Sequence, residues 1–180
     1  MKYLCVFCGS SKGGLETYSE TARRFGEALA GREWGLVYGG GHIGLMGVLA
    51  DAVLQAGGPV IGVIPRSMVQ RELAHEGLTQ LHVVETMHQR KALMAERAAA
   101  FAALPGGVGT ADEFFEIVTW RQLRLHAKPI GLLNVAGFFD PLLAWLDRTV
   151  ADGFVRSEHL GWLHVADEPE RLLDLLFGDR

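Results

Sequence analysis

The chain has 180 residues, 49% of them apolar, and 17 basic against 21 acidic side chains give it a net charge of −4. That length suits one domain with a sizeable core and is short for two, and the lack of a basic excess or of arginine-aromatic interleaving excludes a nucleic-acid polymer as the expected partner. No apolar run has the length of a bilayer crossing and no signal-peptide pattern precedes the first strand, so a cytoplasmic setting with no membrane partner is expected.

Tyr3 to Cys8 is a continuous apolar run, as in a strand covered on both faces, and it ends in Gly9-Ser10-Ser11. Hydroxyl residues just past a strand either line a ligand crevice or serve as ordinary turn residues. Cys5 and Cys8 have C-x-x-C spacing, but residues three apart on a strand face opposite ways, so both are expected as buried or loop-edge thiols. A helix is predicted from Leu15 to Ala30, where Tyr18, Ala22, Phe25 and Leu29 recur at helical spacing.

Trp34 to Tyr38 reads as a second strand, followed by Gly39-Gly40-Gly41-His42-Ile43-Gly44 and a helix over Leu45 to Gln55. Gly39-x-Gly41-x-x-Gly44 matches the dinucleotide fingerprint and brings a nicotinamide or flavin enzyme into consideration. Against it, the loop follows the second strand, and the third, Pro59 to Ile64, ends in Pro65-Arg66 with no ribose-binding acid. The loop is therefore read as a glycine-lined wall of a different nucleotide site. Ser67 to Gly77, with Glu72, His75 and Glu76, reads as a loop or short helix before a fourth strand, Leu78 to Val84.

Met87 opens a helix running to about Ala98, with Arg90 and Lys91 near its start. Two cations there oppose the helix macrodipole. They are either a solvated basic face or ligands for an anion at the carboxyl edge of the sheet.

The most informative stretch comes next: an apolar strand from Ala98 to Leu104, then Pro105-Gly106-Gly107-Val108-Gly109-Thr110-Ala111-Asp112-Glu113, then an amphipathic helix from Ala111 to His126. Glycines before a helix start let an anion approach bare amides, so a phosphate is expected there. With no lysine after Thr110, this is not a nucleoside-triphosphatase loop. Thr110-x-x-Glu113 also fits a capping box, a purely structural use. The glycine cluster, which a cap does not need, and a further carboxylate at Glu116 favour function.

A strand from Lys128 to Asn134, helices over Phe139 to Val150, Ser157 to Trp162 and Glu168 to Phe177, and a short strand at Leu163 to Val165 complete the chain. Strand alternating with helix predicts an α/β fold, a doubly wound parallel sheet with helices on both faces, as a single domain over residues 1–180. The seven histidines show no metal-binding spacing and no G-x-S-x-G elbow is present, so neither a metal nor a cofactor is expected.

Gly39-Gly40-Gly41-His42-Ile43-Gly44-Leu45-Met46-Gly47, Met87-His88-Gln89-Arg90-Lys91 and the Pro105 to Glu113 loop occur together and in order. In this the chain resembles the LOG (Lonely Guy) family, cytokinin riboside 5′-monophosphate phosphoribohydrolases whose relatives often carry an older lysine decarboxylase label. The resemblance implies a Rossmann-like fold and a homodimer with active sites near the subunit interface. It also implies hydrolysis of adenosine 5′-monophosphate, plain or N6-substituted, to free base and ribose 5-phosphate. By motif position it assigns Arg90 and Glu113 as the catalytic pair, with Glu76, Lys91, Gly107, Val108, Gly109, Thr110, Ala111, Asp112 and Thr119 holding the nucleotide. Val108 stands where the family commonly has an aromatic and Asp112 where it has a glutamate, which bears on the preferred base more than on the reaction.

The residue types suit that chemistry. A carboxylate stabilises the positive charge that builds on ribose as an N-glycosidic bond breaks and can activate water, the role given to Glu113. Phosphate at the glycine loop would fix the sugar, and Arg90 offers a planar fork to orient substrate and carboxylate. The alternatives are a non-catalytic nucleotide or cofactor carrier on the same scaffold, a nicotinamide oxidoreductase resting on the 39 to 44 loop, and a decarboxylase. The last would need a Schiff-base lysine from Lys2, Lys12, Lys91 and Lys128.

Overall fold

Strand residues buried on both sides set the architecture. The computed structural model describes residues 1–69 and 73–178, and Glu72 lies outside them. Seven strands, β1 (Tyr3–Phe7), β2 (Gly35–Tyr38), β3 (Val60–Pro65), β4 (Gln80–Val84), β5 (Ala100–Ala103), β6 (Ile130–Leu133) and β7 (Leu163–Ala166), form one sheet in the order β4-β3-β2-β1-β5-β6-β7. Every pairing is parallel. The inner strands are apolar throughout because both faces are covered, whereas the edge strand β4 leaves Leu81 and Val83 exposed.

Among the described residues six α-helices cover the faces: α1 (Glu16–Gly31), α2 (Gly44–Gln55), α3 (Met87–Arg97), α4 (Val108–Gln122), α5 (Asp140–Ala151) and α6 (Pro169–Phe177). Strand alternation divides the core. Leu4 and Val6 face a layer with Phe25, Leu29, Leu49 and Leu172 from α1, α2 and α6, while Cys5 and Phe7 face Met94, Phe114, Ile117 and Phe139 on the other side. The two cysteines accordingly belong to opposite layers, both free and buried.

Neighbouring strands β1 and β5 send their chains opposite ways, β1 through α1 to β2 and β5 through α4 to β6. Beyond their carboxyl ends the connections part and leave a crevice, the expected ligand position in such a sheet. This is a Rossmann-like doubly wound fold.

Most boundaries match the periodicity within a residue or two. Two do not. The helix expected over Ala111 to His126 runs instead from Val108 to Gln122, because glycine at 109 is accommodated in a first turn and the chain reverses at Arg124, which has φ of 62°. Of the helix expected over Ser157 to Trp162, a 3-10 turn at Ser157–His159 forms, closed by the Leu163 N–H donating to Leu160 O at 2.9 Å.

Candidate functional site

Three loops at the carboxyl edge are tied together by main-chain hydrogen bonds. Gly9 N–H donates to Pro105 O at 3.0 Å, joining the loop after β1 to that after β5, and Gly9 O accepts from Leu45 and Met46 in the first turn of α2 at 3.0 and 3.4 Å. The α2 N-terminus has no side-chain cap, so Gly9 O does that work. A Cβ on Gly106 would overlap the Thr110 hydroxyl, so the turn entering α4 closes only with glycine there.

Because α4 begins at Val108, its N-cap is Gly107, which supplies no side-chain hydrogen bond. The capping box, the purely structural alternative for Thr110 and Glu113, is therefore ruled out: Thr110 is the third helical residue, buried, and Glu113 lies a turn further on. The first intrahelical bond here is Ala111 N–H to Gly107 O at 3.1 Å, which leaves the amides of Val108, Gly109 and Thr110 ahead of the helical ladder. At Gly107 and Gly109 a Cβ would meet open space, so glycine there keeps room beside those amides.

That room is part of a crevice of about 270 Å³ walled by Gly107, Val108, Gly109, Thr110, Asp112 and Glu113 on one side and by Arg90, Met46, Met68 and Met87 on the other, with Cys8 and Ser10 at its floor. A second hollow of about 200 Å³ adjoins it across Ser10 and Gly107, lined by Tyr18, Leu45, Pro105 and Phe138. Burial pushes the Cys8 thiol well above its usual range and the Glu113 carboxylate pushes it further, so Cys8 stays a neutral thiol.

The opposite wall is set by α3. Its start carries a capping box not anticipated from the sequence: Thr86 Oγ1 accepts from Gln89 N at 3.1 Å and Gln89 Oε1 accepts from Thr86 N at 3.3 Å. With the entry fixed, Arg90 projects into the interior, 5% exposed, and its Nη2 donates to Gly39 O at 3.1 Å. The glycine loop after β2 thus contributes by holding Arg90, and α2, which follows it, sends Met46 to the crevice wall.

Lys91 ion-pairs with Asp112 of the crevice wall at 3.1 Å and with Glu116 at 3.2 Å, its side chain 11% exposed. Burial alone would lower its ammonium pKa; the hydrogen bonds it donates to the two carboxylates, and their charge, outweigh that and raise it. The contact ties α3 to α4. Asp112, despite its shorter reach, makes it. Ala111 is not in the crevice wall, and Thr119 is exposed further along α4.

Glu76 lines a separate hollow with His42 and His75. There the fold gathers three residues from distant parts of the sequence, since His75 Nε2 lies 2.9 Å from Asp51 Oδ1 and His42 Nε2 3.5 Å from Asp51 Oδ2. Their spacing would allow a metal. But His75 Nδ1 accepts from Gly77 N–H at 3.0 Å, which puts the ring proton on Nε2, facing Asp51, so the pair is a hydrogen bond that needs no ion. Sequence spacing gave no sign of this cluster, nor of the three methionines in the crevice.

A family model described as "Possible lysine decarboxylase" matches residues 46–176. Cytokinin riboside 5′-monophosphate phosphoribohydrolase LOG2 of Arabidopsis thaliana is 48% identical over 173 residues, spanning 96% of this chain and 81% of that protein. The cytokinin riboside 5′-monophosphate phosphoribohydrolase of Rhodococcoides fascians is 53% identical over 155 residues, 86% of this chain and 78% of that one. Among solved structures, the molybdenum cofactor carrier protein of Chlamydomonas reinhardtii superposes with a TM-score of 0.73 over 99% of both chains at 22% identity, a likeness of fold.

Proposed function

The chain belongs to the LOG family, and from that premise we propose that it hydrolyses adenosine 5′-monophosphate, plain or N6-substituted, to the free base and ribose 5-phosphate. It is a phosphoribohydrolase, an N-glycosyl hydrolase. The observation that carries the assignment of roles is that Glu113 and Arg90, contributed by different helices, wall one crevice with the open amides of α4.

In this reading the 5′-phosphate sits on the amides of Val108, Gly109 and Thr110, where the helix dipole favours an anion. The ribose then lies against Glu113. As the bond from C1′ to the base nitrogen breaks, its electron pair leaves with the base, and the carboxylate stabilises the cationic sugar. Water attacks C1′ and gives a proton to Glu113, and a proton from solvent neutralises the base. Arg90, anchored through Gly39 O, is a fixed cation that orients the substrate and the carboxylate.

Lys91 acts at one remove, keeping α4 in register with α3. Glu76 and Thr119 lie outside this chain's own crevice, which supports a homodimer in which such residues serve a site near the subunit boundary. Among the described residues no helix is long and apolar enough to cross a membrane, and we place the enzyme in the cytoplasm.

Two other readings fare worse. A carrier would need the phosphate cradle but not Glu113, and its support is fold alone, against identity near one half to phosphoribohydrolases. A Schiff-base decarboxylase needs a lysine that sheds its proton, and the two carboxylates beside Lys91 hold it charged. The deciding assay incubates the purified protein with AMP and N6-isopentenyl-AMP and reads free base and ribose 5-phosphate. Release of both products in equal amounts is expected, and calorimetric binding without release would overturn hydrolysis in favour of a carrier.

A further inference from the structure

The two ends of the crevice differ in chemistry. The end at α4 is polar, with bare amides, Thr110 and Asp112. The other is built by Met46, Met68 and Met87, three of the chain's five methionines. They arrive from three separate places: the first turn of α2, a 3-10 turn directly after β3, and the first residue of α3. The sulfurs of Met68 and Met87 converge on Arg90 Nη1, at 3.8 and 3.7 Å.

Position along the sheet fixes which end receives which part of a nucleotide. Between β5, which feeds the α4 amides, and β3, which feeds Met68, lie β1 and β2, so the crevice crosses three strand spacings, about 14 Å. A phosphate on α4 sends the ribose past Glu113 and the base over β2, toward the thioethers.

We propose that the wall of Met46, Met68 and Met87 receives the purine together with its N6 substituent, and that it favours an apolar N6 group over the bare amine. The phosphate end of this placement rests on the function proposed above. Thioether side chains are unbranched and polarizable, make favourable contacts with aromatic edges, and repack around ligands of varied shape. A site built to hydrogen-bond an unsubstituted amine rejects analogues that cannot satisfy it. Sulfur is only a weak acceptor, so a substituted amine leaves no strong partner unsatisfied here.

The test uses Met68→Ala and Met87→Ala with the corresponding Leu variants as volume-conserving controls, and reads both Kd by calorimetry and kcat/KM for AMP and N6-isopentenyl-AMP. Truncation is expected to cut the preference for the isopentenyl nucleotide over AMP by about tenfold, the scale of a lost apolar pocket contact, with Leu retaining most of it. An unchanged ratio, or equal losses for both nucleotides, overturns the proposal. Wild-type protein that binds both nucleotides but releases no base would sink the hydrolase reading while the Kd ratio still decides the methionine wall. Wild-type protein that binds neither overturns both.

Discussion

Arg90 and Gly39 occupy each other's space: the guanidinium donates to the Gly39 carbonyl at 3.1 Å, and a Cβ on Gly39 would overlap that same Nη2 nitrogen. The glycine at the end of β2 is therefore as much a determinant of the site as the arginine 51 residues later.

Gly39→Ala tests this directly. The Arg90 guanidinium would have to shift off the Gly39 carbonyl, and misplacing a group that positions substrate by even about 1 Å costs on the order of 10²-fold in rate. The expected result is a folded protein by circular dichroism with kcat/KM on AMP down by that order. Activity within about twofold of wild type would show that the Arg90–Gly39 contact does not matter.

Glu113→Gln keeps shape and removes charge. Loss of base release by about 10²- to 10³-fold, the scale of a deleted transition-state electrostatic contact, is expected, with AMP binding by calorimetry retained. Arg90→Ala should also abolish turnover. Wild-type-like rates in either variant would remove that residue from the mechanism.

The fold was legible in the sequence because its inner strands are apolar on both faces and its helices repeat at their own period, so Tyr3–Phe7 and Glu16–Gly31 fall where pattern puts them. The open glycine turn ahead of α4 was legible because glycines precede a helix. What pattern could not supply was the partner of each charge. Lys91 meets Asp112 and Glu116 only once α3 packs against α4, and His42, Asp51 and His75 are joined by no local spacing at all. The start of α4 was misplaced because glycine in a first turn looks like loop, and that error also suggested a cap for Thr110 that its true position forbids.

Lys91→Met separates two roles for that residue. As a direct phosphate ligand, its loss would raise KM for AMP and leave stability alone. As the lock between α3 and α4, its loss leaves Asp112 and Glu116 without their shared cation. The second outcome is expected, a lower Tm at neutral pH, with urea unfolding as a second readout. An unchanged Tm with a raised KM would return Lys91 to the ligand role.

Leu123 and Leu125, just past the end of α4, are 64% and 68% exposed. In a dimer such side chains are candidates for the covered surface. Light scattering should give twice the chain mass for wild type and the single mass for the Leu123→Glu, Leu125→Glu double variant. A monomeric wild type would refute the homodimer.

Stability should fall on the acid side through His126. Its Nε2–H donates to Ile117 O at 3.0 Å and its Nδ1 accepts from Lys128 N–H at 3.1 Å, a pattern that only the neutral ring can satisfy. Burial lowers its pKa below the ordinary 6.5, and that of His164 likewise. With the folded value below the unfolded one, the contribution is complete above pH 6.5 and is lost as pH falls toward the folded value. His126→Asn keeps an acceptor for the Lys128 amide without titrating. Between about pH 7.5 and 5 its Tm should therefore decline less than that of wild type, by about 2–4 °C, the shift expected for a single hydrogen bond of about 1 kcal/mol in a chain of this size. Parallel Tm profiles for the two proteins would exclude His126 as a source of the acid sensitivity.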